Sequence, residues 1–201
     1  MPPTKHKTFS KTAVKASKKP IENCAGWDPG RFNFAFAIYS RKKKLQASGC
    51  IEGLETVGSI ELFRKQFLQV VKTFKPQSMC LERFHSQPGR GSKRNLELIN
   101  LSIGIVIGYC MCNNIPWALV TASTHKRWLA NNFKVGLMPV PAKPRKGRKP
   151  VIRKKYDITT YKEWKHLETE HEVDASNVAK WYLAMLDRDK ARKEANGDNY
   201  K

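Results

Sequence analysis

Three short apolar runs, Asn23 to Trp27, Asn33 to Tyr39 and Leu45 to Ile51, follow one another before the spacing of the apolar residues changes. Turn-like Asp28-Pro29-Gly30-Arg31 and the cluster Arg41 to Lys44 separate them, so the runs predict an antiparallel meander. Ile60, Phe63, Phe67, Val70, Val71 and Phe74 then recur at helical spacing, with Ser59 placed as N-cap and Pro76 as the stop. The order therefore begins βββα.

Ser78 to Leu81 reads as a short buried strand that delivers Glu82 at its carboxyl end. Asn95 to Asn113 is apolar nearly all round, like a buried helix, and Pro116 to Val120 makes a fifth strand. Thr121 to Asn131 predicts a short helix. Glu172 to Lys193 closes the chain, with Val173, Val178, Trp181, Tyr182 and Met185 as packing residues. The expectation is an α/β domain of order βββαβαβα, a central mixed five-stranded sheet flanked by helices. At 201 residues and 40% hydrophobic content the chain can bury one substantial core, over residues 21–201.

Charge narrows the partner. Thirty-eight Lys and Arg against 17 Asp and Glu give a formal net charge of +21 and a pI near 10.0. That balance favours polyanions, nucleic acid foremost, and leaves the chemistry open. Residues 1–20 carry Lys5, Lys7, Lys11, Lys15, Lys18 and Lys19 with no acid and no apolar core, which predicts a flexible basic arm rather than a secretory signal. Residence inside a cell follows as the expectation, in cytoplasm or nucleoid or a virus-infected cell, with organelle import only weakly indicated. Leu101 to Cys112 is too short to span a bilayer, so no membrane role is expected. Cys24, Cys50, Cys80, Cys110 and Cys112 are odd in number and read as reduced, buried thiols, not as a disulfide or zinc framework.

A second basic stretch interrupts the domain at about 134–158. Lys143, Arg145, Lys146, Arg148, Lys149, Arg153, Lys154 and Lys155 are spaced by Pro141, Pro144, Gly147 and Pro150, without an acid among them. Such a stretch repels itself and cannot pack, which predicts a flexible loop that orders on a phosphate backbone.

Against this charge, three acidic stations stand out: Asp28 in Gly26-Trp27-Asp28-Pro29-Gly30, Glu82 in Leu81-Glu82-Arg83-Phe84, and His171-Glu172-Val173-Asp174. Carboxylates kept in so basic a chain have a use beside a phosphate, because Mg²⁺ prefers oxygen ligands and neutralises charge in phosphoryl transfer. His171 and Asp174, at i and i+3, share one face of a helix.

These stations, with Asn33-Phe34-Ala35 after the first and Val120-Thr121-Ala122-Ser123-Thr124-His125-Lys126 after the fifth strand, resemble the RuvC-type Holliday junction resolvases of the ribonuclease H-like superfamily over residues 22–190. The resemblance implies that Asp28, Glu82, His171 and Asp174 hold two Mg²⁺ ions, with Mn²⁺ as a substitute, and that Lys126 meets the scissile phosphate. It implies paired cleavage of four-way DNA junctions by a homodimer, leaving 5′-phosphate and 3′-hydroxyl ends, with the helix after Glu82 at the dimer contact. Arg83, Phe84, Arg127 and the second basic stretch would touch DNA. Phe84 stands either as a wedge between bases or as core, and Lys154 or Lys155 as a second active-site lysine. A different ribonuclease H-like nuclease would use the same carboxylates, whereas a nonenzymatic DNA-binding protein would need only the charge.

Overall fold

Side chains that alternate between two apolar layers make the sheet. In the computed structural model, which describes residues 23–83, 93–133, 137–141, 152–156, 167 and 169–195, β1 (Asn23–Pro29), β2 (Asn33–Ser40) and β3 (Leu45–Glu52) form the antiparallel meander. β1 then pairs in parallel with β4 (Ser78–Arg83), and β4 in parallel with β5 (Trp117–Thr121). The strand order is β3-β2-β1-β4-β5, the mixed five-stranded sheet expected. β1 lies at its centre, buried on both faces: Ala25 and Trp27 point to one layer, Cys24 to the other.

On the first face, α1 (Ile60–Phe74) and α2 (Lys93–Cys112) cover the aromatic cluster of Trp27, Phe34, Phe36, Phe63 and Phe67. The Trp27 ring lies 5.4 to 5.7 Å from those of Phe34, Phe36 and Phe67, tilted as aromatic quadrupoles prefer. Ser59 precedes α1, but its backbone is already helical, in a single 3-10 turn, and its side chain makes no cap hydrogen bond. The helix ends at Lys75, whose φ of 46° turns the chain before Pro76.

α2 departs from the expectation of full burial. Leu98, Ile99, Ser102, Ile103, Val106 and Cys110 face the core, whereas Leu101 and Met111 are exposed. The window Asn95–Cys112 is long and apolar enough to cross a bilayer by length and composition, which corrects the shorter span read from sequence. Here one side of it packs on the protein's own core. Of the cysteines, Cys24, Cys80 and Cys110 are buried free thiols, while Cys50 and Cys112 are exposed, against the expectation for those two. Cys50 sits on the outer strand β3, and Cys112 at the last turn of α2.

On the opposite face lie α3 (Ala122–Asn132) and α4 (Glu170–Ala195). Ala175, Val178, Ala179, Tyr182 and Leu183 of α4 meet Ala35, Ala37 and Tyr39 of β2 and Cys80 of β4. Small residues let the helix approach closely: a Cβ on Gly26 would collide with the backbone of Ala175 and Ala179. Tyr39 adds a buried 2.6 Å hydroxyl hydrogen bond with Ser176.

The second basic stretch is not a featureless loop. Its ends pair as an antiparallel hairpin, β6 (Leu137–Pro141) with β7 (Ile152–Tyr156), in register from Leu137 opposite Tyr156 to Pro141 opposite Ile152. The β-favouring Val140, Ile152 and Tyr156 flank the charged centre, and a local pairing closes only a short loop. Residues 1–22, the arm included, and 142–151 lie outside the described residues.

Candidate active site

Parallel pairing brings the first two acids together. Trp27 and Leu81 are the last registered pair between β1 and β4, so Asp28 and Glu82, one step further, stand on adjacent strands at their carboxyl ends. Asp28 is nearly buried and Glu82 half-buried. α4 then crosses β1 with its first turns over this point.

The start of α4 is fixed by a reciprocal cap. The Glu172 amide donates to Thr169 Oγ1 at 3.1 Å, and the Thr169 amide donates to Glu172 Oε2 at 3.0 Å. This Thr-x-x-Glu box satisfies two backbone donors that a helix start otherwise leaves open. It sets the rotation of the first turns, so that His171 and Asp174, three residues apart, both reach the sheet.

Three close pairs result. His171 Nδ1 donates to Asp28 Oδ2 at 2.7 Å. Lys126 Nζ, from α3, donates to Asp174 Oδ2 at 2.7 Å. His125 Nε2, one residue earlier on α3, lies 2.7 Å from Glu82 Oε2. The structure thus brings Asp28, Glu82, Lys126, His171 and Asp174 to one place, and adds His125.

The electrostatics of the cluster are lopsided. Burial pushes the Asp174 carboxyl above the usual range; Lys126 pulls it down, but Asp28 and Glu82 raise it further. For Lys126 burial is the largest single influence and acts downward. Attraction to Asp174, Glu82 and Asp28 together nonetheless carries its pKa above the ordinary lysine value. The His171 imidazole is raised by its hydrogen bond to Asp28, against some burial. Among the described residues one ammonium, Lys126, stands among three carboxylates and is over-attracted, while Asp174 remains under-compensated. Added positive charge would relieve it.

Among the described residues no three His, Cys, Asp or Glu groups stand at coordinating separation. Each carboxylate instead gives one oxygen to the protein's own ammonium or imidazole. The second oxygens, Asp28 Oδ1, Glu82 Oε1 and Asp174 Oδ1, make no hydrogen bond among the described residues. An oxygen-rich set with uncommitted lone pairs and excess negative charge suits a hard divalent cation in donor chemistry.

The residues expected at DNA divide. Arg83 at the end of β4 and Arg127 on α3 are exposed beside the cluster's own strands and helix. Arg153, Lys154 and Lys155 are on β7, opposite Val140, Pro139 and Met138. Phe84, Lys143, Arg145, Lys146, Arg148 and Lys149 lie outside the described residues. His125 was missed because a histidine next to the candidate lysine falls on a different helical face. Only the register of β5 with β4 shows that this face looks back at Glu82.

No family model matches the sequence, and no curated protein matches it. Solved structures do match in fold. RuvC from Thermus thermophilus, in complex with a Holliday junction substrate, superimposes with a TM-score of 0.56 at 14% identity, covering 81% of this chain and 95% of that one. A further T. thermophilus RuvC structure gives 0.55 at 14% identity, over 81% and 96%. The yeast mitochondrial Holliday junction resolvase Ydc2 shares 19% identity over 60% of each chain, with a TM-score of 0.43. The chain has the ribonuclease H-like α/β fold of the RuvC structures.

Proposed function

We propose that this chain is a divalent-metal-dependent endonuclease that resolves four-way DNA junctions by paired phosphodiester hydrolysis, leaving 5′-phosphate and 3′-hydroxyl ends. One observation carries the reading: Asp28, Glu82 and Asp174 meet at the carboxyl end of the central strands with Lys126 as the one ammonium among the described residues there. A fold shared with a RuvC solved on a Holliday junction supports the choice of substrate.

Asp28, Glu82, His171 and Asp174 are the residues that would hold Mg²⁺ or Mn²⁺. Two such ions, when bound, supply an activated water and stabilise the leaving 3′-oxygen. Lys126 has its ammonium at the cluster and, once released from Asp174, is placed to neutralise a phosphate oxygen. Arg83 and Arg127 extend positive charge from the site, and β7 carries three more cations at Arg153, Lys154 and Lys155. These contacts bind any phosphate backbone, so branch selectivity needs a second site held at a fixed distance.

A homodimer would supply that second site by two-fold symmetry. The outer side of α2 is the surface put forward for it: Leu101 and Met111 are exposed, and a Cβ on Gly104 or Gly108 would meet nothing within 4 Å. Work on intracellular DNA fits the reduced thiols and the charge.

The test is cleavage of labelled four-way, Y-shaped, linear duplex and RNA–DNA hybrid substrates with Mg²⁺, by the parent and by Asp28→Asn. Paired symmetric nicks in the four-way substrate, lost in D28N while junction binding persists, are the expected result. Preferred cleavage of hybrids would assign the same carboxylates to another ribonuclease H-like activity. Cleavage that survives D28N would overturn the metal site.

A further inference from the structure

His125 has no role in the reading above, yet it occupies one of the most constrained positions in the molecule. β5 runs into α3 without a linker: Thr121 ends the strand, and its hydroxyl accepts from the Thr124 amide to cap the helix. β5 is in register with β4, Glu82 opposite Val120 and Arg83 opposite Thr121. The first turn of α3 is therefore tied rigidly to the strand that carries Glu82. His125 stands four residues past the cap, fully buried, and reaches back to Glu82.

The two ring nitrogens are used unequally. Nε2 meets Glu82 Oε2 at 2.7 Å, while Nδ1 is buried with no hydrogen-bond partner among the described residues. An ionised carboxylate can only accept, so Nε2 donates to Glu82 and Nδ1 is the nitrogen left without a partner. Burying an imidazole with an orphaned nitrogen costs free energy that an apolar residue in the same space would avoid. Packing alone does not account for it.

The geometry points to His125 as the positioning residue for Glu82. This inference rests on the metal-site reading above. By holding Oε2 from a wholly buried ring, His125 fixes the carboxylate plane and leaves Oε1 as the oxygen available to a cation. A partly exposed glutamate at a strand end would otherwise be free to change rotamer, and ordering it on binding would weaken the site. Lys126, the next residue, meets Asp174 from the adjacent position of α3, but as a cation that a bound metal would displace. One turn of one helix thus reaches two of the three acids, and only His125 does so without competing charge.

The experiment compares His125→Gln, whose amide nitrogen takes the place of Nε2, with His125→Asn, whose amide reaches only as far as Nδ1. Both are polar and smaller than histidine, so their folding penalties are similar and thermal melts confirm it. Mn²⁺ affinity is read by calorimetry without DNA, and junction affinity is read in EDTA. H125N should bind Mn²⁺ roughly tenfold to a hundredfold more weakly than the parent, the range for loss of a group that orients a ligand. H125Q should recover most of that loss, and both should bind junctions as the parent does. Equal Mn²⁺ affinities for H125N and H125Q would overturn the inference while the metal site stands. A parent protein that binds no Mn²⁺ would overturn the metal site, and the inference with it.

Discussion

Asp28 on the first strand and His171 on the last helix, 143 residues apart in sequence, are joined by a 2.7 Å hydrogen bond from Nδ1 to Oδ2. The bond fastens α4 to the centre of the sheet at the point where the acids meet. It also makes the fold sensitive to pH. His171 has its pKa raised above 6.5 by Asp28, so its protonated form is favoured by folding. Its contribution to stability is fully present below about pH 6.5 and is lost as pH rises through the higher folded value. In EDTA, the stability advantage of the parent over His171→Asn should be largest below about pH 6.5 and shrink as pH rises above it. Paired thermal melts below and above that pH check it, and an advantage that grows with pH contradicts the sign.

Lys126 competes with any bound cation for Asp174. Its ammonium sits 2.7 Å from Oδ2, with both side chains partly exposed at 36% and 21%. A charge pair at that depth is worth about 1 to 2 kcal/mol after discounting for solvent. Lys126→Met should therefore bind Mn²⁺ about tenfold more tightly than the parent while cleaving junctions more slowly, because the phosphate loses its cation. Calorimetry and single-turnover cleavage separate the two effects. Weaker Mn²⁺ binding by K126M would show that Lys126 supports the metal rather than competing with it.

Much of this was legible in the chain. Phe63, Phe67, Val70 and Val71 announce α1 by their spacing, and the buried run at β4 puts Glu82 at a strand end. What the sequence concealed is tertiary. Nothing local distinguishes Leu101 and Met111, which face outward, from Ile99 and Ile103, which face the core, because α2 is apolar on both sides. The hairpin β6-β7 was hidden because a dense run of charge dominates the composition of a segment whose few β-favouring residues sit at its ends. His125 needed the β4-β5 register. Ser59 shows the opposite failure: a favoured cap residue stood in the right place, but the 3-10 turn before it had already satisfied the local geometry.

The reciprocal cap between Thr169 and Glu172 holds the start of α4, and its loss has a definite consequence. Glu172→Ala removes the acceptor for both the Thr169 amide and its hydroxyl. The expected cost is about 1 kcal/mol by urea denaturation. Because the frayed turn contains His171, junction cleavage should fall further than that small loss of stability explains. Val173→Ala, a core truncation at the next position, gives the comparison: it should cost at least as much stability with less effect on cleavage. If cleavage follows stability equally in both variants, the cap does not set the site.

Gly26 decides whether α4 can reach Asp28 at all. Two residues before that aspartate, an added Cβ would overlap the Ala175 oxygen and the Ala179 amide nitrogen, and would lie 2.8 Å from the Ala179 Cβ. Backbone atoms of a packed helix cannot step aside as a flexible side chain can, so Gly26→Ala must lift α4 from β1. Overpacking of cores typically costs about 1 to 3 kcal/mol, and this collision with main chain belongs at or above the upper end. Gly49→Ala is the control, since its Cβ would press on the Phe36 ring at 3.2 Å, a contact that a small ring shift relieves. G49A should cost well under half as much as G26A by urea denaturation. Lifting α4 also carries His171 and Asp174 away from Asp28 and Glu82. Folded G26A should therefore lose Mn²⁺ binding and cleavage while retaining its charge-driven affinity for DNA. A G26A protein that binds Mn²⁺ as the parent does would show that the helix can withdraw without opening the site.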